Sequence, residues 1–123
     1  MNTKDSPWTD EQLAVLQEND ELELTVEGKT VIIWMVIVQG EVFVRSVYGR
    51  GSKWFQRAIR AGQGAVSAGR VQQNVRLVES GERLQTDVDA AFRSKYGRYA
   101  RSIVDSTVTP RAREAALQIS RLQ

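Results

Sequence analysis

The sequence predicts one α+β domain built on a small antiparallel β-barrel with flanking helices, and three observations carry that expectation. Leu22, Leu24 and Val26 alternate with Glu21, Glu23 and Thr25, the period-two pattern of a strand with one face in water. After a Glu27-Gly28 hairpin turn, residues 30–38 are apolar at every position but the first, so both faces of this strand need cover. Gln39-Gly40 then turns the chain into a third strand at residues 42–47. In such a meander, a strand buried on both faces needs a barrel interior on one side and a helix or second subunit on the other. The 123 residues suffice for one core and not for two.

The remaining elements follow in order. Trp8 precedes Thr9-x-x-Gln12, which resembles a capping box, and Leu13 and Leu16 give the short first helix its apolar side before Asn19-Asp20 ends it. Beyond the loop Tyr48-Gly49-Arg50-Gly51, a helix over 52–61 sets Trp54, Ala58 and Ala61 on one face with Phe55 and Ile59 beside them; Lys53, Arg57 and Arg60 form the opposite stripe. Residues 65–68 and 73–79 read as two strands joined at Gly69-Arg70, with Ser80-Gly81 as the next break. Thr86-x-x-Asp89 predicts a capped helix that buries Val88, Ala91, Phe92 and Tyr96 and stops at Gly97. A further helical segment spans 99–108, before Pro110, and the tail with Leu117 and Ile119 either closes the sheet as an edge strand, the favoured reading, or continues as helix.

Composition narrows the chemistry. With no cysteine there is no disulfide, thiolate nucleophile or thiolate metal site, and with no histidine the commonest general base and metal ligand are missing. The longest apolar run is far shorter than a membrane helix and the first five residues are polar, so a cytoplasmic protein without membrane contact is expected. The net charge of +2 conceals segregation: residues 1–41 hold nine acids and two bases, residues 42–78 seven bases and no acid. Such a field attracts a small anion. The acidic first third argues against a long nucleic acid.

The informative stretch is Val44-Arg45-Ser46-Val47-Tyr48-Gly49-Arg50-Gly51-Ser52-Lys53-Trp54-Phe55-Gln56-Arg57. A strand delivers Arg45 and Ser46, a glycine loop follows, and a helix opens with Ser52 and Lys53. Helix-start N–H groups, a hydroxyl and several cations together suit a phosphate. The alternative reading gives Gly49 and Gly51 to the turn, Ser52 to the cap and the cations to water. Tyr48 is the candidate proton donor. Trp34 is either a core residue or a ring that stacks on a ligand. Arg93, Lys95, Arg98 and Arg101 read as a wet helix face, and Asp87 and Asp89 as helix-start carboxylates. No P-loop, nucleophile elbow or metal motif is present.

These residues resemble the flavin-binding split-barrel superfamily, which includes pyridoxamine phosphate oxidases and deazaflavin-dependent nitroreductases. The resemblance runs through Val44-Arg45-Ser46, the Gly-x-Gly-Ser-Lys-Trp-Phe loop and helix, and the short strands after it. Ile33-Trp34, the Trp54 helix, Ala90-Ala91-Phe92-Arg93-Ser94-Lys95-Tyr96-Gly97 and Val108-Thr109-Pro110 are similar to those of a bacterial family assigned to that superfamily. The resemblance implies a split barrel that binds flavin mononucleotide (FMN) or a deazaflavin near the interface of a homodimer and passes hydride to a small organic acceptor. It also implies that Arg45, Ser46, Gly51, Ser52, Lys53 and Trp54, with Arg57 behind them, hold the cofactor. The chain lacks the second arginine-lysine pair and the long carboxyl-terminal segment of the phosphate oxidases, so their oxidase activity is not expected. Two other readings stand beside this one: a non-redox domain binding a small anion in the same basic pocket, and a cofactor-independent enzyme using Tyr48 or a buried carboxylate.

Overall fold

The computed structural model describes residues 5–122; the polar opening at residues 1–4 lies outside them. The chain runs β1 (Asp5–Ser6), α1 (Asp10–Glu18), β2 (Glu21–Val26), β3 (Lys29–Trp34), β4 (Val36–Val38), β5 (Glu41–Arg45), α2 (Lys53–Ala61), β6 (Gln63–Ala68), β7 (Val71–Glu79), α3 (Gln85–Lys95), α4 (Arg101–Asp105), α5 (Pro110–Arg113) and β8 (Ala116–Leu122). The expected α+β class is observed, as a curled antiparallel half-barrel with five helices. Its strand path is β3-β2-β6-β7-β8-β5-β4, and β1 pairs with β8 beside it.

Local chemistry explains most boundaries. Thr9 and Gln12 form the reciprocal capping box at the start of α1. Glu27-Gly28 and Gln39-Gly40 place both central turn residues at positive φ, 52° and 78° in the first and 54° and 77° in the second. This is the hairpin turn whose twist matches the flanking strands.

The long apolar stretch differs from expectation. It is not one strand: Met35 divides it, and its halves occupy opposite edges of the sheet, β3 against β2 and β4 against β5. The two edges of the path are therefore joined by a single residue, and the sheet curls until they meet. Alternation continues across the break. Val31, Ile33, Met35 and Ile37 pack with the barrel core of Leu22, Leu24, Val42, Val44, Val66, Val75, Leu77, Leu117 and Ile119. Trp34, Val36 and Val38 face outward with Phe43, into a second core formed with Val88, Phe92 and Tyr96 of α3, Val104 of α4 and Val108. Cover on both faces is thus real from residue 34 onward, because α3 lies there. It fails at Ile32, which is 58% exposed.

Three further expectations are corrected. Thr86 and Asp89 do not cap α3; the cap position is Leu84, in the left-handed region, and Thr86 lies inside the helix. Helix over 99–108 shrinks to α4, and the Thr109 hydroxyl caps the additional short α5. The tail is a strand but not an edge, since β8 lies between β7 and β5, where Leu117 and Ile119 are buried.

Gly64 marks the tightest approach between strands β2 and β6, because a Cβ there would lie 2.6 Å from the Thr25 carbonyl oxygen and 2.9 Å from Val26 Cγ2. Gly64→Ala should lower unfolding free energy by about 1–3 kcal/mol through overpacking. Gly51→Ala, at a position with open space and no positive φ, should change it by no more than about 0.5 kcal/mol. Urea unfolding of both variants checks the pair.

Candidate functional site: a wedge between two strands

The break at Met35 opens a wide, mainly apolar concavity. Strands β4 and β5 pair Val36 with Phe43 and Val38 with Glu41. Continuing that register would set Trp34 opposite Arg45 and Ile32 opposite Val47. Beyond Met35, however, the chain leaves β5 and pairs with β2. A wedge opens between the diverging strands, about 660 Å³ in volume. Ile32, Trp34, Arg45 and Val47 line it from the strands, Trp54 from α2, Phe92 from α3 and Ile103 from α4. Glu21, Tyr48, Ser102, Ser106 and Thr107 add polar groups.

Arg45 alternates outward on β5 and is 5% exposed. Its Nη1 donates to Asp89 Oδ1 at 2.5 Å and to the Thr107 carbonyl at 2.9 Å, and its guanidinium lies 5.7 Å from the Phe92 ring centroid. The buried Nε has no partner among the described residues. Asp89 is shared, because Arg113 Nη2 donates to its other oxygen at 2.7 Å. Two guanidiniums against one carboxylate leave this cluster with one positive charge beside the wedge. Burial lowers the Arg45 pKa from its ordinary value while Asp89 opposes the shift. For Asp89, burial acts upward, but hydrogen bonds from Arg113 and Arg45 outweigh it and hold the carboxyl below its usual range.

The residues expected to form one site are divided by the fold. Arg45, Tyr48 and Trp54 line the wedge. Tyr48 stands at the mouth, 76% exposed. Ser46 and Ser52 are joined to each other, Oγ to Oγ at 2.8 Å, and Ser46 also donates to the Gly49 carbonyl at 2.8 Å. Ser52 occupies the N-cap position of α2 but makes no side-chain cap. Gly51 lies in the same loop, with open space around it. Lys53 and Arg57 line a different depression, of about 300 Å³, with Lys29, Arg60, Glu27 and Gln56. Arg60 pairs with Glu27 at 3.1 Å; Lys29, Lys53 and Arg57 have no ion-pair partner among the described residues. The two concavities draw on the same elements without sharing a residue: Lys29 and Val31 are two residues apart on β3, roughly 7 Å, and Lys53 and Trp54 are consecutive on α2.

Sequence reasoning missed Ile32, Phe92, Ile103 and Thr107 as parts of this site. The signal for the strand side was the β4–β5 register; nothing in the sequence signalled the α4 side. Lys95 was misread too. It is half-buried rather than part of a wet face, donating to the carbonyls of Leu16 and Met35 at 3.1 Å each.

The model of a family described as uncharacterised proteins conserved in bacteria, DUF2255, matches residues 10–119. The chain belongs to that family. No curated protein matches it. Among solved structures, the conserved hypothetical protein Rv2991 from Mycobacterium tuberculosis is similar, with a TM-score of 0.60 and 13% identity over 99% of this chain and 84% of that one. At that identity the likeness concerns the fold. No helix among the described residues is long and apolar enough to cross a membrane.

Asp89→Asn removes the charge that two buried or half-buried guanidiniums share and should cost about 3 kcal/mol. Because the folded-state pKa of Asp89 lies below its ordinary 3.8, its contribution is complete above the unfolded pKa and is lost as pH falls through the folded one. Stability of the DUF2255 protein measured by chemical unfolding from pH 7 downward should therefore decline more steeply in acid than that of Asp89→Asn, and the two should converge.

Proposed function

We propose that the wedge binds a planar flavin-class cofactor, FMN or a deazaflavin, and that the protein passes hydride to a small organic acceptor. The observation that carries this reading is the pairing of aromatic and aliphatic walls, Trp34, Trp54, Phe92, Ile32 and Ile103, with the buried cation Arg45 in one concavity. Its volume of about 660 Å³ falls within the range of small-molecule sites. The residues suit such a group on two counts. Flat apolar walls favour a ring system, and the positive charge of Arg45 behind them favours an acceptor atom or negative charge on that ring.

The cofactor, once bound, supplies the hydride chemistry, so neither histidine nor cysteine is needed. This chain's own contributions are positional and electrostatic. Trp34 and Trp54 would flank a bound ring, and the fixed charge of the buried Arg45 would stabilise negative charge on it. Tyr48 at the mouth is placed to give a proton to an entering acceptor. An anionic arm reaches the neighbouring basic depression, where Lys29, Lys53 and Arg57 are uncompensated. The exposed apolar rim of Ile32 and Ile103 is covered by a second copy of the chain, giving a homodimer.

A non-redox domain for a small aromatic anion would use the same wedge. It is favoured by the engagement of both Arg45 Nη atoms with internal partners, which leaves this cation to act on a ligand through its charge more than through free donors.

Titration with FMN, riboflavin and a deazaflavin, followed by tryptophan fluorescence, tests the proposal. Binding at about micromolar Kd is expected, and Trp54→Ala should weaken all three ligands roughly tenfold. Lys53→Ala should weaken FMN more than riboflavin, and the difference should fade in high salt. Absence of binding by all three ligands refutes the cofactor assignment. Binding without reduction of a panel of small organic acceptors favours the non-redox domain.

A further inference from the structure

The wedge has its apex at Met35, and the side chains gathered there belong neither to its walls nor to any element expected to carry function. Tyr96, fully buried at the end of α3, accepts a hydrogen bond from the Met35 N–H at 3.1 Å. Its own hydroxyl proton is directed to the Asp20 carbonyl at 2.6 Å or the Met35 carbonyl at 2.9 Å. Lys95 Nζ donates to the Met35 and Leu16 carbonyls and lies 3.1 Å from Met35 Sδ. The backbone of Met35, where the two sheet edges meet, thus has its N–H and its C=O, which belong to two successive peptides, held by Lys95, the last residue of α3, and Tyr96, its C-cap. The same Tyr96 ring stacks on Trp34, with centroids 3.9 Å apart and planes within 1°. Trp34 is a wall of the wedge.

We propose that Lys95 and Tyr96 are positioning residues of the wedge: through the Met35 peptide and the stacked ring they set the orientation of Trp34, and the protonation of Lys95 tunes it. The part that concerns ligand affinity rests on the reading of the wedge as a ring-binding site; the part that concerns Trp34 does not. The geometry supplies the coupling, since the N–H that Tyr96 accepts belongs to the Trp34–Met35 peptide, the Tyr96 hydroxyl and Lys95 meet at the Met35 carbonyl, and the Tyr96 ring stacks on Trp34. Protonation supplies the control. An ammonium has three donors for the three acceptors around it, two carbonyl oxygens and a thioether, whereas the neutral amine has two. The charged groups facing Lys95 are Asp20, just beyond α1, and Arg98, in the turn after α3, and these are paired with each other. The hydroxyl of Tyr99 donates to the same Asp20 carboxylate at 2.7 Å; α1 and the β3–β4 junction present only the carbonyls and the sulfur. Burial lowers the Lys95 pKa to about 8, with Asp20 opposing and Arg98 assisting. Burial likewise pushes the Tyr96 phenol well above its ordinary value, so it stays a donor throughout that range. Since the folded pKa of Lys95 lies below the unfolded 10.5, the unfolded chain binds more protons between about pH 8 and 10.5. Global stability should therefore rise with pH in that window even as the clasp loses a donor.

The indole N–H resonance of Trp34 in the ¹⁵N-labelled protein, assigned with Trp34→Phe, reads the wall directly. It should shift with an inflection near pH 8 in the native chain. In Lys95→Met, which retains the bulk of the stem, the inflection should vanish. In Tyr96→Phe, which keeps the stack and loses the hydroxyl, the resonance should be displaced at every pH, and the FMN dissociation constant should rise about threefold to tenfold, as expected for one lost hydrogen bond. A Trp34 resonance that titrates identically in all three proteins overturns the proposal, as does an unshifted resonance in Tyr96→Phe. If Trp34 responds as described while FMN binds none of the proteins, the positioning role stands and the cofactor assignment falls.

Discussion

The peptide at Met35 is the constraint on which the other features of this fold depend. A chain that crosses from one edge of a sheet to the other in a single residue cannot give that residue's N–H and C=O to either ladder. Met35 is fully buried, so water cannot serve them, and an unsatisfied buried backbone group costs about 1–3 kcal/mol. Tyr96 and Lys95 supply the missing partners. Without α3 in its place, the edges would have no reason to meet there, and the apolar stretch would be better satisfied as one continuous strand. The wedge is therefore not a defect of a barrel. It is the space that remains when one strand's worth of sequence is divided between two edges and the division is held by a helix.

The charge pattern changes meaning in the same way once the chain is folded. Along the sequence, seven cations without an acid suggested a single basic pocket. In three dimensions most of them find acids from elsewhere: Arg45 pairs with Asp89, Arg50 with Glu79, Arg60 with Glu27 and Arg70 with Glu11. The exposed pairs contribute little to stability, yet each sets an acid beside the arginine and so weakens the local positive field. What survives is local. Arg45 contributes a charge it already shares, and the unpaired positive field comes from Lys53, Arg57 and Lys29, the last of which lies outside the basic stretch.

Strand content was legible because hairpins are local. Glu27-Gly28 and Gln39-Gly40 fix two turns within two residues each, and the alternation of β2 survives intact as buried and exposed positions. The break at Met35 was not legible, because inside and outside continue to alternate through it; a pattern of period two carries no information about which neighbour a strand pairs with. The cap of α3 misled for a related reason. Thr86 and Asp89 have the spacing of a capping box, but Asp89 lies where two arginines from distant segments converge, and that long-range demand determines where the helix begins. Lys95 shows the same limit on a single residue: helical periodicity puts it beside the buried Tyr96, and only the fold of α1 and β3 around that end of α3 turns a surface lysine into a donor for the seam.

The wedge consequently has two ends of different physical character. At the apex most polar groups are spoken for: Tyr96 and Lys95 bind the Met35 backbone, and Arg45 is held by Asp89, Thr107 and Gln85, its Nε buried without a partner among the described residues. Groups so placed cannot reorganise to suit a ligand, which favours recognition of one rigid shape. At the mouth, Tyr48, Ile32 and Ile103 are exposed, and Tyr48 makes no side-chain hydrogen bond among the described residues. These can adapt at small cost. Under the proposed reading, a site arranged this way would separate its tasks: the fixed end would select a ring and set its electrostatic environment, and the open end would govern what approaches it. Variation at the mouth leaves the fold undisturbed, whereas change at the apex alters the sheet closure from which the wedge arises.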